Sequence, residues 1–211
     1  MMNKNYIKTD EHVFITGANG TGKTLLAKIY TAGYDNVLVL DTKGTFDYTP
    51  FLLQDKYKIV TSINLLYNER KIRKIIYRPN IHENNSKFYD KFFEFCYRRQ
   101  NTICLVDEAM HVCTAHNIPF WYKSILTRGR ELEVTCWSCT QRPNNVSNFI
   151  LTESIHWFVF RLNNYQDREK IYKSSGMEPF KKPVKGHDFY YWFANSKTVI
   201  QTSLDLDGLK I

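Results

Sequence analysis

The sequence has no apolar run long enough to span a membrane. A transmembrane helix needs about 20 consecutive apolar residues, and no apolar run approaches that length. The N-terminal stretch MMNKNYIKTDEH also lacks the apolar segment of a signal peptide. We therefore expect neither direct membrane insertion nor secretion, and a protein that works in a cytoplasm.

Cysteine is too scarce to suggest a disulfide framework. The five cysteines are an odd number and lie mostly inside apolar runs, where a free thiol behaves as a small core residue. We predict no zinc site at His111, Cys113 and His116, because a fourth ligand is absent nearby and the spacing matches no standard finger. The pair Cys136 and Cys139 falls on a predicted strand, where positions three apart face opposite sides of the sheet.

Linkers, internal repeats and low-complexity segments are also absent. The chain has 211 residues, 43% of them hydrophobic and 24% charged, which is the composition of a folded soluble protein with one substantial core. We predict a single domain over residues 1–211, with a core from about 12 to 170 and a C-terminal strand or hairpin extension from about 171 to 211.

Acidic residues are fewer than basic ones. The 29 lysines and arginines exceed the 21 acidic residues, so the net charge is +8. This balance favours a polyanionic partner such as nucleic acid, because each neutralised phosphate releases a counterion.

The strongest motif is a glycine-rich loop between an apolar strand, predicted at 12–16, and a helix from about 22 to 30. Glycines let backbone N–H groups point at a phosphate, and the N-terminus of a helix favours the same anion. In the pattern G-x-x-x-x-G-K-[ST], the lysine reaches the β- and γ-phosphates and the hydroxyl can coordinate Mg²⁺. A glycine turn that binds no nucleotide is the alternative. The residues that we expect to bind ATP are Gly17, Ala18, Asn19, Gly20, Thr21, Gly22, Lys23 and Thr24.

An acidic pair follows a second buried strand, predicted at 101–106. Asp107 lies at its carboxyl end, where it can accept hydrogen bonds from water on a magnesium ion. Glu108 is then placed to orient and partly deprotonate an attacking water as a general base. Downstream of a phosphate loop, this pair indicates hydrolysis of the nucleotide as well as binding.

Polar residues also follow two further predicted strands. A strand at 36–40 ends in Asp41 and Lys43, which should fall near the site or else form a simple glycine-terminated turn. A strand at 134–140 ends in Gln141, whose amide could contact the γ-phosphate or the water and act as a sensor.

The rest of the chain alternates between helices and strands. Residues 86–99 predict a helix that packs Phe88, Phe92, Phe95 and Cys96 on the sheet, although a base-stacking platform is conceivable. A helix at 118–130 ends in Arg128 and Arg130, which could reach a nucleotide held by a neighbouring subunit, or form a solvated basic turn, or contact DNA phosphates. The sequence ends in a predicted hairpin at 189–193 and 198–201.

Five segments, GANGTGKT, VLVLDTKG, ICLVDE, TRGRELEV and CTQRP, resemble in order and spacing the HerA/FtsK superfamily of DNA-pumping ATPases. The short chain is most similar to the genome-packaging ATPases of tailless, membrane-containing double-stranded DNA viruses. The resemblance covers residues 12 to 170. We find no counterpart in this sequence of the N-terminal barrel of cellular HerA or of the membrane and DNA-reading modules of FtsK. We therefore expect a dedicated partner at a capsid vertex.

The resemblance implies an α/β, RecA-like P-loop NTPase fold of the additional-strand, catalytic-glutamate type, with a mostly parallel central sheet flanked by helices. The strand of Gln141 is then expected between those of the phosphate loop and Asp107. By the same resemblance, Lys23 and Thr24 bind phosphate and Mg²⁺, Asp107 joins Thr24 at the metal, and Glu108 is catalytic. Arg130, with Arg128 as the second choice, is the implied arginine that acts in trans.

The expected function is ATP-driven translocation of double-stranded DNA, packaging a viral genome through a homo-oligomeric ring, a pentamer or hexamer. Capsid or portal-vertex proteins are the expected partners, and the host cytoplasm or the packaging vertex of the virion is the expected location. A plasmid transfer or partition ATPase and a nucleotide-gated protein-binding switch are the alternatives. A small-molecule kinase is disfavoured because TRGRELEV followed by TQRP does not resemble a lid.

Overall fold

The computed structural model describes residues 7–49, 51–69 and 71–204. Nine strands lie in these ranges. They are β1 (Val13–Thr16), β2 (Val37–Leu40), β3 (Lys58–Val60), β4 (Lys74–Tyr77), β5 (Thr102–Val106), β6 (Val134–Thr140), β7 (His156–Phe160), β8 (Asp188–Phe193) and β9 (Ile200–Ser203). The described helices are α1 (Lys23–Ala32), α2 (Ile63–Asn68), α3 (Ser86–Arg99), α4 (Ala109–Val112), α5 (Phe120–Arg128), α6 (Asn148–Thr152) and α7 (Tyr165–Ser175).

All of these strands belong to one sheet, in the order β3-β4-β2-β5-β6-β1-β7-β8-β9. The pairs from β3 to β7 are parallel, whereas β7–β8 and β8–β9 are antiparallel. Every residue of β1, β2 and β5 is buried and most are apolar, without alternation, because both faces of these parallel strands are covered. The predicted α/β class, the position of β6 between β1 and β5, and the closing hairpin are confirmed.

The two faces of the sheet are covered differently. Helices α2 to α7 pack on one face, while α1 and aromatic side chains of the segment 46–57 pack on the other. Cys136 and Cys139 of β6 belong to opposite faces, as their spacing predicted. Every described cysteine is buried and free.

Helix α3 packs through a stripe that differs from the predicted one. The residues buried on the sheet are Tyr89, Phe92, Phe93 and Cys96. Phe88 and Phe95 are only partly buried at the margins of the same core. The helix is so rich in aromatics that two neighbouring stripes satisfy the helical period, and contact with β5 and α5 selects one of them.

Helix α5 is shorter than the predicted 118–130. It begins after Pro119 and ends at Arg128, and a 3₁₀ helix follows at Gly129–Leu132. A Cβ atom on Gly129 would lie 2.3 Å from the carbonyl oxygen of Val134, so the chain turns back tightly onto β6 at this glycine. Arg130 therefore lies in the 3₁₀ turn and not in the α-helix.

The end of the chain forms the predicted hairpin on the side of β7. Strand β8 pairs with β7 from His156↔Phe193 to Phe160↔Phe189, so β8 begins at the carboxyl edge of the parallel sheet. Residues 205–211 of the predicted extension lie outside the described ranges.

Candidate nucleotide-binding site

The phosphate loop leaves β1 and packs against the chain that follows β7. A Cβ atom on Gly17 would lie 2.5 Å from the Cβ of Phe160, so the close approach requires glycine. The N–H of Ala18 donates to the carbonyl of Arg161 at 2.8 Å. Gly22, with a φ of 108°, turns the chain into α1 in a conformation that side chains disfavour. The loop is thus shaped by its glycines and held by the neighbouring strand.

The first two residues of α1 place a cation and a hydroxyl beside this loop. Lys23 is only 6% exposed, and its Nζ donates to the carbonyl of Ala18 at 2.9 Å. Burial lowers the pKa of Lys23, so an anion in the loop would favour the charged ammonium group. The Oγ1 of Thr24 donates to Oδ1 of Asp107 at 3.0 Å, which joins the start of α1 to the end of β5.

Asp107 and Glu108 are buried where three strands end together. Their exposed fractions are 2% and 1%. The N–H of Asp107 donates to the carbonyl of Leu40 at the end of β2, 3.2 Å away. The Oε1 of Glu108 accepts the backbone N–H of Gln141, after β6, at 3.1 Å. Contacts with the backbone at the ends of both neighbouring strands thus fix the position of the acidic pair.

Lys43 neutralises both acidic residues at once. Its Nζ lies 3.4 Å from Oδ2 of Asp107 and 3.3 Å from Oε2 of Glu108. Partial burial acts to lower the pKa of Lys43, but the two carboxylates outweigh it and raise that pKa. The ammonium group therefore stays charged between the two acids.

Asp41 builds the turn that carries Lys43. Its carboxylate is fully buried and forms an ion pair with Nε of Arg78 at 2.9 Å. The same carboxylate accepts the backbone N–H groups of Gly44, Thr45 and Phe46 at 2.8–3.2 Å. The sequence allowed this segment to be either a simple turn or part of the site. The structure combines the two, because Asp41 organises a turn and Lys43 contacts the acidic pair.

Arg128 and Arg130 lie at the opposite edge of the sheet. Both precede β6, whose seven residues span roughly 20 Å at about 3.3 Å per residue. The Nη2 of Arg130 donates to the carbonyl of Glu153 at 2.9 Å. Burial, together with the charge of Arg130, lowers the pKa of His12 to about 4. Neither arginine contacts the acidic pair of its own chain.

The site suits a magnesium ion by the chemistry of its donors. Mg²⁺ prefers oxygen ligands and is usually held by one or two carboxylates, phosphate oxygens and water. The Oγ1 of Thr24 and the carboxylate of Asp107 supply such oxygens side by side. These two residues would therefore hold the ion.

The structure brings most of the predicted site residues together and adds others. The phosphate loop, Thr24, Asp107, Glu108 and Gln141 meet at the carboxyl edge, while the two arginines do not join them. Gln141 contacts Glu108 through its backbone N–H. The sequence placed Lys43 only near the site and gave no sign of Arg78. The D-x-K-G pattern after β2 was the signal for Lys43.

No protein-family model and no curated protein matches this sequence. Solved structures do resemble it. The genome-packaging NTPase B204 of Sulfolobus turreted icosahedral virus 2, in complex with AMPPCP, superposes with a TM-score of 0.74 at 16% identity, covering 93% of this chain and 99% of that one. The chain therefore shares the fold of this genome-packaging NTPase. No described helix is both long and apolar enough to cross a membrane.

Two other solved structures support this assignment of the fold. The pCW3 conjugation coupling protein TcpA, with ATPγS, has a TM-score of 0.57 at 12% identity, over 92% of this chain and 60% of that one. The N-terminal domain of zonular occludens toxin from Neisseria meningitidis has a TM-score of 0.50 at 17% identity, over 93% and 95% of the two chains.

Proposed function

We propose that this protein hydrolyses ATP to translocate double-stranded DNA and so packages a viral genome into a preformed capsid. One observation supports the proposal of ATP hydrolysis. Glu108, buried and held by the N–H of Gln141, lies next to Asp107, and Asp107 contacts Thr24 of the phosphate loop. A phosphate site, a metal-binding pair and a candidate base are thus adjacent.

In this proposal each residue has a defined task. Lys23 exchanges the carbonyl of Ala18 for the β- and γ-phosphates. Thr24 and Asp107 hold Mg²⁺, which when bound would neutralise charge on the phosphate oxygens. Glu108 orients a water for in-line attack and accepts its proton. Gln141 acts as a sensor: its side-chain amide contacts the γ-phosphate or the attacking water.

The DNA part of the proposal rests on charge and on structural similarity. A net charge of +8 suits a polyanion, and the similar B204 is itself described as a genome-packaging NTPase. We propose a homo-oligomeric ring, a pentamer or hexamer, that works in the host cytoplasm or at the packaging vertex of the virion, with capsid or portal-vertex proteins as partners.

The ring would complete each active site with an arginine from the next subunit. Arg130 and Arg128 lie at the edge remote from their own Glu108, so either would act on an active site only across a subunit interface. A guanidinium group there would stabilise charge on the transferred phosphoryl group.

A subunit-mixing experiment tests the catalysis and the ring together. Glu108→Gln and Arg130→Ala are each expected to abolish ATP hydrolysis when present in every subunit. An equimolar mixture should recover activity, because Glu108 of one subunit meets Arg130 of the next. The double variant mixed with inactive subunits of either kind is the control, and long duplex DNA should stimulate the wild type. Mixtures as inactive as their components would contradict the trans arrangement.

Plasmid transfer is a second candidate, favoured by the likeness to a conjugation coupling protein. Hydrolysis stimulated by DNA fits both candidates, whereas binding to capsid-vertex protein fits packaging only. Hydrolysis that is indifferent to DNA would instead indicate a nucleotide-gated switch that binds a partner protein.

A further inference from the structure

A groove with a volume of about 590 Å³ lies at the amino edge of the sheet, where the parallel strands begin. This amino-edge groove is formed by residues of the segments 35–36, 71–73 and 99–101, which lead into the neighbouring strands β2, β4 and β5. Each of the seven described residues that line it is polar or charged. Pockets for small molecules are lined mostly by apolar side chains, whereas Arg, Lys, Asn and Gln supply contacts to nucleic-acid backbones. The lining therefore favours a phosphate backbone as the ligand.

One guanidinium nitrogen at this groove has no acceptor. Nη2 of Arg99, the last residue of α3, donates to the carbonyl of Ile72 at 2.6 Å. Nη1 of Arg99 is buried and has no hydrogen-bond partner among the described residues. Burial also lowers the pKa of Arg99. Buried donors in proteins are nearly always paired, so an anion in the groove would satisfy Nη1 and favour the charged guanidinium group.

Cations exceed acids among the residues that line the groove. Lys71, Arg73 and Arg99 are accompanied by a single acidic residue, Asp35. Asp35 pairs with Arg73 at 3.3 Å, and both side chains are exposed, so solvent screens this pair. Lys71 is exposed and forms no ion pair with any residue that the structure describes. Two cations, Lys71 and Arg99, are thus available to an anion in the groove.

The turn between α3 and β5 has an unusual backbone conformation at this groove. Gln100 and Asn101 have φ angles of 57° and 37°, which residues other than glycine seldom adopt. The N–H of Asn101 donates to the carbonyl of Leu132 at 2.9 Å, which fixes the turn against the 3₁₀ helix before β6. Strained residues of this kind cluster at binding and catalytic sites. Here the turn places two side-chain amides at the groove, and each can donate to a phosphate oxygen.

We propose that the amino-edge groove binds a phosphate group of the backbone of double-stranded DNA. Lys71 and Nη1 of Arg99 contact the phosphate oxygens, and the amides of Gln100 and Asn101 donate to the same stretch of backbone. The inference rests on the proposed DNA translocation and adds a defined contact, which the net charge of +8 does not locate. The groove and the nucleotide site lie at opposite edges of the sheet, so the two ligands do not compete.

Lys71→Gln and Arg99→Gln test this assignment. The full chain is added to a fluorescently labelled DNA duplex, and the dissociation constant is measured by anisotropy at several salt concentrations. The matched control is Lys87→Gln, which removes the same charge from an exposed lysine at the opposite end of α3. The thermal unfolding midpoint shows that each variant is folded. Calorimetry with inorganic pyrophosphate distinguishes a free phosphate compound from DNA as the source of the phosphate.

We expect each of the two groove variants to bind DNA about tenfold more weakly than the wild type at about 0.1 M salt. The slope of log K against log salt concentration should become shallower by about 1, because one phosphate contact is lost. Lys87→Gln should bind DNA within about twofold of the wild type. Pyrophosphate should bind the wild type and Lys71→Gln equally well.

Equal DNA affinity in the wild type and both groove variants would overturn the assignment. An equal loss of affinity in Lys87→Gln would also overturn it, because the effect would then come from the overall charge and not from the groove. Loss of pyrophosphate binding in Lys71→Gln, with DNA binding unchanged, would instead mark a site for small anions. A wild type that does not bind duplex DNA would refute the proposed function itself.

Discussion

The two edges of the parallel sheet treat charge in opposite ways. At the carboxyl edge Lys23, Asp41, Asp107 and Glu108 are all buried, with exposed fractions between 0% and 6%. At the amino edge an ion pair such as Arg73 with Asp35 is 68% and 79% exposed.

The difference shows at which edge the fold bears the energetic cost of burying charge. A buried charge requires a partner and hydrogen bonds, whereas a solvated pair contributes little. At the carboxyl edge Asp41 pairs with Arg78 and the other two acids pair with Lys43, while Lys23 donates to the carbonyl of Ala18. Ligands of α/β sheets bind at this edge. The contacts that compensate the buried charges therefore also hold the site residues in position. Four predictions test the contrast.

The largest effect is expected from Glu108→Gln at the carboxyl edge. Loss of a general base typically lowers turnover by about 10²–10⁴-fold, whereas Gln can still accept the N–H of Gln141. Steady-state ATP hydrolysis should fall by about 10³-fold while the affinity for MgATP is retained. Glu131→Gln, an exposed glutamate before β6, should hydrolyse ATP like the wild type. Comparable losses in the two variants would remove the distinction between the edges.

Asp41→Asn and Asp35→Asn compare the stability that charged residues contribute at the two ends of one strand, β2. The introduced amide NH₂ must face N–H groups or the guanidinium of Arg78, because the carboxylate accepts from both sides. We expect the free energy of unfolding to fall by about 3 kcal/mol in urea titrations. Asp35→Asn, just before the same strand, should change it by less than about 1 kcal/mol. A small effect at Asp41 would show that the turn is held by other contacts.

Lys43→Met is expected to expose the acidic pair to metal ions. In the wild type the ammonium group occupies Asp107 and Glu108, so a free divalent cation must compete with it. Without nucleotide, the variant should bind Mn²⁺ about tenfold more tightly, as measured by electron paramagnetic resonance. Lys58→Met, which removes the partner of Glu69 at the start of β3, should leave Mn²⁺ binding unchanged. Weaker Mn²⁺ binding in Lys43→Met would instead mean that Lys43 organises the acids for the metal.

The smallest effect concerns His12, at the amino edge. Its Nδ1 accepts the N–H of Cys136 at 2.9 Å, and burial with the charge of Arg130 lowers its pKa from 6.5 to about 4. The unfolded chain therefore takes up this proton at a higher pH, so the stability that His12 confers is complete above pH 6.5 and is lost as the pH falls toward 4. Between pH 7.5 and 5.5 this amounts to about 1 kcal/mol.

His12→Asn keeps an acceptor for the N–H of Cys136 but cannot titrate. Its free energy of unfolding should fall by about 1 kcal/mol less than that of the wild type over the same pH interval. Arg130→Ala removes a charge that lowers the pKa of His12 and should show an intermediate pH dependence. Identical curves for the three proteins would mean that His12 is not held neutral in the folded state.

The sequence was sufficient to predict the features that depend on local order. The apolar run, the glycines and Lys23 predicted a strand, a loop and a helix, and the strand carrying Asp107 was recognisable by itself. The place of β6 between β1 and β5 came from the family resemblance. The opposite faces of Cys136 and Cys139 followed from the strand period alone.

Features made by distant segments could not be predicted in the same way. The ion pairs of Lys43 with Asp107 and Glu108 join residues more than 60 positions apart, and only the sheet order brings them together. The amino-edge groove combines the segments 35–36, 71–73 and 99–101, which carry no motif. In α3, the aromatic spacing allowed two stripes, and tertiary packing decided between them.

Lys23 and Lys43 both have partners within the protein, the first a carbonyl of the loop and the second the two acids. If ATP binds as proposed, it does so by exchange, and its affinity is the difference between two sets of contacts. When the product leaves, the two ammonium groups return to these partners. Release of the product therefore leaves neither lysine without a hydrogen-bond acceptor. Such a site favours rapid exchange of nucleotide over tight retention.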